Sequence, residues 1–115
     1  MRSRFIFVLL CWAGLGLPAA VSAQTTGIDL AKSNSCMACH QVDSKRVGPA
    51  FRLVAQRFAD QEGALDYLAN AIRHGGRGRW GAVPMPAQPQ VSPANAQIIA
   101  AWILSLASKD LPEIK

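Results

Sequence analysis

Hydrophobic residues near the start of this 115-residue chain form an unbroken run, whereas those that follow are spaced apart. Two arginines precede the run, which covers the thirteen residues 5–17, and small residues occupy positions 21–23. A basic start, a short apolar run and a small-residue cleavage point predict a secretory signal peptide over residues 1–23, cleaved after Ala23. An uncleaved membrane anchor is the alternative, but a span of the bilayer needs about 20 apolar residues.

After residue 24 the spacing of hydrophobic positions is typical of helices. The first predicted helix begins at Thr26, a capping residue with Asp29 three positions later, and extends to about Cys39. The second carries an apolar stripe of residues three and four positions apart, namely Phe51, Val54, Ala55 and Phe58. This stripe predicts one buried face on the second helix.

Two more helices are predicted in the second half of the chain. The third starts near Asp60 to Gly63 and ends at about Arg73, with an apolar stripe at Leu65, Leu68, Ala69 and Ile72. The last starts at the capping pair Ser92-Pro93. Its stripe is expected to pack on the first helix and consists of Ile98, Ile99, Trp102, Ile103 and Leu106.

The segment between these two helices has a different composition. Residues 75–91 contain four glycines and three prolines, which predicts a long loop without regular structure. No part of the chain shows a strand pattern, so the predicted fold class is all-α, with about four helices. A long loop in a compact domain usually has a function.

Two thiols and an imidazole stand together in the segment Cys36-Met37-Ala38-Cys39-His40. This spacing is the one used to attach a haem covalently: each thiol adds to a vinyl group of the porphyrin, and the histidine becomes an axial ligand of the iron. The motif therefore predicts one haem c, bound through Cys36 and Cys39 and ligated by His40. The rest of the chain is then expected to enclose it.

Two other interpretations of the same three residues were weighed. A structural zinc site would need a fourth ligand, but the only other histidine is His74, and Cys11 lies in the predicted signal peptide. A thioredoxin-like redox pair needs a βαβ setting, and no strand pattern provides one. Both interpretations are disfavoured.

A methionine in the long loop is the candidate for the second axial ligand. Met85 lies between Pro84 and Pro86, which restrict the backbone on both sides, and it follows His40 by forty-five residues. That length allows the chain to cross to the other haem face. Met37 lies inside the attachment motif and cannot reach that face, so Met85 is predicted to ligate the iron.

Two further residues are candidates for contacts around the haem. A carbonyl in the Pro49 segment could accept a hydrogen bond from the far nitrogen of His40 and fix its ring, although an ordinary turn before a helix explains the segment equally well. The indole N–H of Trp80 needs an acceptor if it is buried, and a haem propionate would supply one.

Basic residues near the loop have two interpretations. Arg73, Arg77 and Arg79 could neutralise haem propionates, or they could form a solvated basic face, which is preferred for Arg77. His74, at the end of the third predicted helix, is interpreted as a solvated residue that suits the helix dipole rather than as a ligand.

Length and charge exclude several classes of protein. The chain carries a formal net charge of +5, and without the signal peptide ten basic and seven acidic residues remain. This mild, unclustered charge does not indicate a nucleic-acid binder. One domain is predicted over residues 24–107, followed by a flexible tail over residues 108–115.

The motifs together resemble a known family. C-M-A-C-H, V-G-P-A-F, R-W-G-A-V-P-M-P and a final W-I-L-S-L helix are similar to those of bacterial class I monohaem cytochromes c, of the short cytochrome c-551 type. The resemblance covers about Thr26 to Leu106. It implies four helices around a haem with one exposed edge, axial ligation by His40 and Met85, the Pro49 carbonyl on the His40 ring, and the Trp80 indole on a propionate.

The sequence departs from this resemblance at two positions. Ala71 stands where close relatives have a basic residue that reaches a propionate, and Arg73 is the candidate to replace it. Gln88 stands where they have an asparagine that contacts the methionine sulfur, and it is followed by one extra residue. The tuning of the reduction potential is therefore expected to differ.

With histidine and methionine both on the iron, no coordination position is open to a substrate. The expected function is one-electron transfer by a diffusible, monomeric carrier in the periplasm, not enzymatic catalysis. Redox proteins would dock at the exposed haem edge, without nucleic acid and without stable membrane insertion after cleavage. The alternatives are a haem subunit bound permanently to a dehydrogenase or reductase, and an enzyme or sensor from which Met85 dissociates.

Overall fold

A computed structural model describes residues 25–107 and residue 16 of the chain. The predicted signal peptide and the predicted tail therefore lie outside the described residues, apart from Gly16. The described part contains one short 3-10 helix over Cys36–Ala38 and four α-helices, which are α1 Gly27–Ser33, α2 Phe51–Phe58, α3 Ala64–His74 and α4 Pro93–Ser105. The all-α prediction is confirmed. None of these helices has the length and apolar character needed to cross a membrane.

Helix α1 is shorter than predicted, because it ends at Ser33 rather than near Cys39. The side chains of Ser33 and Asn34 both donate hydrogen bonds to the Leu30 carbonyl, at 3.1 and 2.9 Å, and so compete with the helical backbone. Ser35 then adopts the left-handed conformation, with φ of 61°. The haem motif consequently lies on a separate 3-10 turn rather than on α1.

Helix α4 forms the centre of the core, since it packs against α1, α2 and α3. Its start is the predicted one: Ser92 caps the helix and Pro93 occupies its first turn. Ile99 and Ile103 are buried as predicted, but Ile98 is 43% exposed. Helix α4 is apolar on most of its circumference, so spacing alone did not identify which side is covered.

The crossing of α1 and α4 depends on a glycine. A Cβ atom on Gly27 would lie 2.8 Å from Trp102 Cγ and 3.0 Å from the Ile98 carbonyl oxygen. Both distances are shorter than a carbon contact allows, so the two helix backbones approach closely only because residue 27 has no side chain. The expected pairing of the first and last helices is confirmed, although Gly27 was not recognised as its contact point.

Helices α2 and α3 cover the rest of the core. All four residues of the predicted α2 stripe are buried. In α3 the residues Leu68, Ala69 and Ile72 are buried as expected, but Leu65 is 38% exposed and Ala64 is buried in its place. The interior faces of α2, α3 and α4 thus surround one side of a shared cavity.

Candidate haem site

The 3-10 turn presents the two thiols and the imidazole of the motif close together. The amides of Cys39 and His40 both donate to the Cys36 carbonyl, at 3.2 and 3.0 Å. Both cysteines are half-buried and carry free thiols. Burial raises the pKa of the Cys36 thiol, so the group is a neutral thiol at neutral pH in the free chain.

The loop after the motif folds back over it. The amides of Val47 and Gly48 both donate to the Cys39 carbonyl, at 3.1 and 2.7 Å. This arrangement brings Pro49 beside His40, and the Pro49 carbonyl oxygen lies 2.8 Å from Nδ1 of the imidazole. Because a carbonyl can only accept, Nδ1 carries the proton and Nε2 keeps its lone pair for a metal.

The two faces of the His40 ring are also fixed. Phe51 stacks on one face, with ring centroids 4.8 Å apart and an interplanar angle of 16°. Gly48 lies so close that a Cβ atom there would be 2.5 Å from Cε1 and 2.8 Å from Nδ1 of the ring. Trp102 contacts Phe51 edge-on at 5.3 Å, so α4 supports the stack. The imidazole therefore has little freedom to rotate or tilt.

A cavity of about 360 Å³ opens beside this ring, within the range of about 300–1,000 Å³ that is usual for ligand sites. The cavity is lined by five of the candidate residues, namely Cys39, His40, Pro49, Trp80 and Met85. Its wall is mainly apolar and includes Phe51, Val54, Phe58, Leu68, Ile72 and Ile103. Cys36 lines a smaller adjoining recess of about 60 Å³, which His40 and Met85 also border. The structure thus brings five of the six candidate residues to one cavity and Cys36 to the recess beside it.

The predicted loop after α3 has more order than its composition suggested. Gly76 and Met85 form an isolated antiparallel bridge, in which each amide donates to the other carbonyl at 3.0 and 2.9 Å. The Gln88 amide donates to the Ile72 carbonyl at 3.1 Å and ties the loop to α3. The expectation of an entirely irregular loop is therefore wrong at this point. The bridge fixes the backbone of Met85 at the edge of the cavity.

Gly75 permits the chain to form the bridge between Gly76 and Met85. It adopts φ of 72° at the end of α3, a conformation that glycine tolerates best. A Cβ atom there would also lie 2.8 Å from the Ala87 amide nitrogen. The glycine that ends α3 is thus also the point at which the returning chain passes closest.

The basic residues near the loop have separate roles. Arg73 Nε donates to the Val91 carbonyl at 3.1 Å, and Arg73 does not line the cavity, so its proposed role as a replacement for a propionate-binding residue lacks support. Arg79 does line the cavity, beside Ala71 and Trp80. Arg77 is exposed, as preferred. His74 is exposed, and its Nδ1 lies 3.1 Å from the Asn70 carbonyl.

Within residues 25–107 no protein acceptor is paired with the indole N–H of Trp80, which is only partly buried at the cavity wall. The face of its ring is covered instead by the guanidinium of Arg57, at 4.5 Å from the ring centroid. The indole is therefore available to an acceptor on a bound group, as the propionate prediction requires. That contact stays a prediction.

The residues around the cavity fit a haem c. Covalent attachment and ligation of a haem need an apolar space, two thiols and groups that can bind the iron. The structure has an apolar cavity, two free thiols on one turn, an imidazole whose Nε2 is free for a metal, and a thioether at the same cavity. Sequence reasoning missed two contributors to this fit. Gly48 was quoted only as part of a motif, and Phe51 was assigned to the core rather than to the His40 ring.

Comparison with known proteins identifies the family. Residues 24–107 match the family described as Cytochrome c. A cytochrome c-552 from Nitrosomonas europaea is 51% identical over 78 residues, which cover 68% of this chain and 76% of that protein. A cytochrome c-551 from Stutzerimonas stutzeri is 43% identical over 106 residues, which cover 92% of this chain and 99% of that protein.

Solved structures of related proteins have the same fold. The crystal structure of wild-type Nitrosomonas europaea cytochrome c552 superposes with a TM-score of 0.68 at 51% identity, covering 69% of this chain and 98% of that one. The class 1 cytochrome MtoD from Sideroxydans lithotrophicus gives 0.60 at 26% identity, covering 70% of this chain and 91% of that one. Agreement of this extent excludes the zinc-site and thioredoxin-like interpretations. The chain belongs to the cytochrome c family and is a class I c-type cytochrome, an electron-transfer protein rather than an enzyme.

Proposed function

We propose that the chain binds a single haem c, attached through Cys36 and Cys39, with His40 and Met85 as the axial ligands of the iron. The observation that carries this proposal is the orientation of His40. Its Nδ1 is bonded to the Pro49 carbonyl at 2.8 Å, so the other nitrogen is left for the metal at a cavity that Met85 also lines. The Trp80 indole would bind a propionate.

When bound, the haem supplies reversible one-electron chemistry between Fe(II) and Fe(III). The chain's own residues determine how that chemistry is used. Because His40 and Met85 occupy both axial positions in this proposal, no position is left for a substrate. A thioether ligand raises the reduction potential relative to two histidines, which suits the oxidising end of a respiratory chain. The hydrogen bond that the Nδ1–H group donates to the Pro49 carbonyl increases the basicity of Nε2.

The proposed partners are redox proteins that dock at the open side of the cavity. Val47, Leu53 and Val83 line the cavity and are 51%, 50% and 63% exposed. Lys45 lines the same rim. An apolar patch with a basic edge suits brief docking, because small interfaces dissociate quickly and charge guides the encounter.

The proposed location is the periplasm, where a monomeric carrier of residues 24–115 would remain after cleavage behind Ala23. The cytochrome domain would comprise residues 24–107, and residues 108–115 would form a flexible tail. Support comes from the pattern of the first 23 residues and from the chemistry of the motif, since haem attachment of this kind takes place outside the cytoplasm.

The rival proposal is a subunit held permanently by a dehydrogenase or reductase. The exposed Val47, Leu53 and Val83 would then be covered by that enzyme. Gel filtration of the native periplasmic extract distinguishes the two. A carrier elutes at the mass of one chain, whereas a subunit elutes with its enzyme in a fixed ratio.

Two measurements test the haem assignment directly. Acidic acetone should leave the colour on the purified protein, because thioether bonds do not dissociate, and extraction of the colour would refute covalent attachment.

The variant Met85→Ala should lose the sulfur-to-iron charge-transfer band of the oxidised protein, while Met37→Ala should keep it. A band that persists in Met85→Ala would rule out this ligand.

A further inference from the structure

Two arginines connect the loop that carries Met85 to the helices beside it. Arg57, near the end of α2, places its guanidinium 4.5 Å from the centroid of the Trp80 ring. Its Nη1 also donates a hydrogen bond of 2.7 Å to the Arg79 carbonyl. One side chain of α2 thus contacts two consecutive loop residues, one through an aromatic face and one through the backbone.

The second arginine extends this contact to α3. The guanidinium of Arg79 lies 4.8 Å from the centroid of the Tyr67 ring. It also covers the backbone of Gly76, where a Cβ atom would be 2.8 Å from the Arg79 Cζ. Residues 79 and 80 are therefore fixed between α2 and α3, and the Arg79 side chain returns to the start of the loop.

These contacts are linked to Met85 through the backbone. Gly76, beneath the Arg79 guanidinium, is paired with Met85 by the two reciprocal hydrogen bonds of the bridge. Residues 76–85 consequently form a closed loop whose ends are joined by the bridge and whose middle is held by Arg57. Loss of the Arg57 contacts would remove the cation–π contact and the hydrogen bond that attach residues 79 and 80 to α2.

The other arginine of α2 makes contacts outside the loop. Arg52, on the same helix, forms an ion pair with Asp43 at 2.7 Å and donates to the Leu106 carbonyl at 3.1 Å, away from the loop. No periodicity in the sequence distinguishes Arg57 from the other polar residues of α2. Only the fold shows that the loop passes beneath its guanidinium.

We propose that Arg57 is a positioning residue that holds the 76–85 loop closed and thereby keeps Met85 at the cavity. This deepens the proposed function, in which Met85 is the axial ligand, but the closure itself can be measured without that ligation. A cation–π contact and a hydrogen bond from a charged donor together contribute enough to change the opening of the loop about tenfold.

The test is amide hydrogen exchange on the haem-loaded protein with Arg57→Met, using Arg77→Met as the matched control. Both variants remove one positive charge and keep a long side chain, but Arg77 is exposed in the same loop and has no such contacts among the described residues. We expect the Gly76 and Met85 amides to exchange about ten times faster in Arg57→Met. They should exchange at the wild-type rate in Arg77→Met.

Three results would overturn the proposal. The first is unchanged exchange at Gly76 and Met85 in Arg57→Met. The second is an equal increase in Arg77→Met, which would show that charge alone acts. The third is an equal increase at the α4 amides of Ile99 and Ile103, which would show a loss of global stability. If Arg57→Met does not fold, Arg57→Gln replaces it under the same criteria.

A second readout separates this proposal from the assignment of Met85. If Met85 ligates the iron, cyanide should bind the oxidised Arg57→Met protein about ten times faster, because displacement of the thioether requires the loop to open. If amide exchange is faster but cyanide binding is not, the contact of Arg57 with the loop is supported, and ligation of the iron by Met85 is refuted. No change in either measurement would refute the role of Arg57, while the Met85→Ala spectrum would still test the ligand.

Discussion

The substitution Gly48→Ala tests the packing of the candidate proximal ligand. The added Cβ would lie 2.5 Å from Cε1, 2.8 Å from Nδ1 and 3.0 Å from Nε2 of His40. A carbon contact needs more than 3.4 Å, so the ring or the loop must move. Phe51 is stacked on the ring at 4.8 Å and is itself in contact with Trp102, which restricts the movement of the ring.

The expected loss of stability in Gly48→Ala follows from two interactions that the added Cβ must disturb. Overpacking in a well-filled site costs about 1–3 kcal/mol. Rotation of the ring would also lengthen the 2.8 Å hydrogen bond to the Pro49 carbonyl, which contributes about 0.5–1.5 kcal/mol. We therefore expect the free energy of unfolding to fall by about 1.5–4.5 kcal/mol. The NMR signal of the His40 Nδ1 proton should shift as well.

Denaturant unfolding of the haem-loaded protein measures the change in the free energy of unfolding, and Gly63→Ala is the control. Gly63 has no neighbour within 4 Å of an added Cβ but adopts φ of 74°. Its replacement should cost about 1–2 kcal/mol through backbone strain alone and leave the Nδ1 proton unchanged. Wild-type stability together with an unshifted Nδ1 signal in Gly48→Ala would refute this account of the His40 site.

Three further predictions concern other parts of the chain. Gly27→Ala should lower the thermal midpoint through a loss of about 1–3 kcal/mol, since the new Cβ would be 2.8 Å from Trp102 Cγ; an unchanged midpoint would contradict the close helix crossing. Hydrogen bonds from Thr26 lower the pKa of Asp29 below its ordinary value of 3.8, so its stabilising effect is complete above that value and lost as the pH falls through the lowered pKa. Asp29→Asn should therefore be less stable than the wild type at pH 6 and equally stable in strong acid, as denaturant titrations at both pH values will show. On heating, the sulfur-to-iron band should disappear before the far-UV helical signal, because the Met85 loop has fewer buried contacts than the helices; simultaneous loss of both signals would contradict this.

The sequence predicted the helices wherever a strong apolar period met a clear start. Helix α2 has its whole stripe buried, and α4 begins at the Ser92 cap. The predicted start of α1 at the Thr26 cap is confirmed. Its predicted end was wrong because Ser33 and Asn34 turn their side chains onto the Leu30 carbonyl, a local competition that hydrophobic spacing does not report. The predicted burial of Leu65 and of Ile98 was wrong for a different reason, which lies in tertiary packing rather than in local structure. Each is apolar and correctly spaced, but tertiary packing selected a neighbouring face.

The candidate site was predictable to the extent that its chemistry is encoded in short motifs. The thiols, the imidazole and the thioether were identified from residue type and spacing, and the structure brings them to one cavity and its adjoining recess. Gly48 and Arg57 could not be identified in this way, because their contributions come from contacts between distant segments. Gly48 acts through an absent side chain beside His40. Arg57 acts on residues that follow it by more than twenty positions.

The two sides of the cavity are held by different kinds of interaction, and this difference bears on electron transfer. His40 is fixed by close packing and one hydrogen bond, which leave no alternative ring position. Met85 is fixed by a backbone bridge and by arginine contacts at a partly exposed surface. If His40 and Met85 ligate the iron as proposed, electron transfer needs both to stay in place when the charge on the iron changes. Since the histidine side has little room to adjust, the stability of the iron coordination should depend mainly on how firmly the methionine loop is closed.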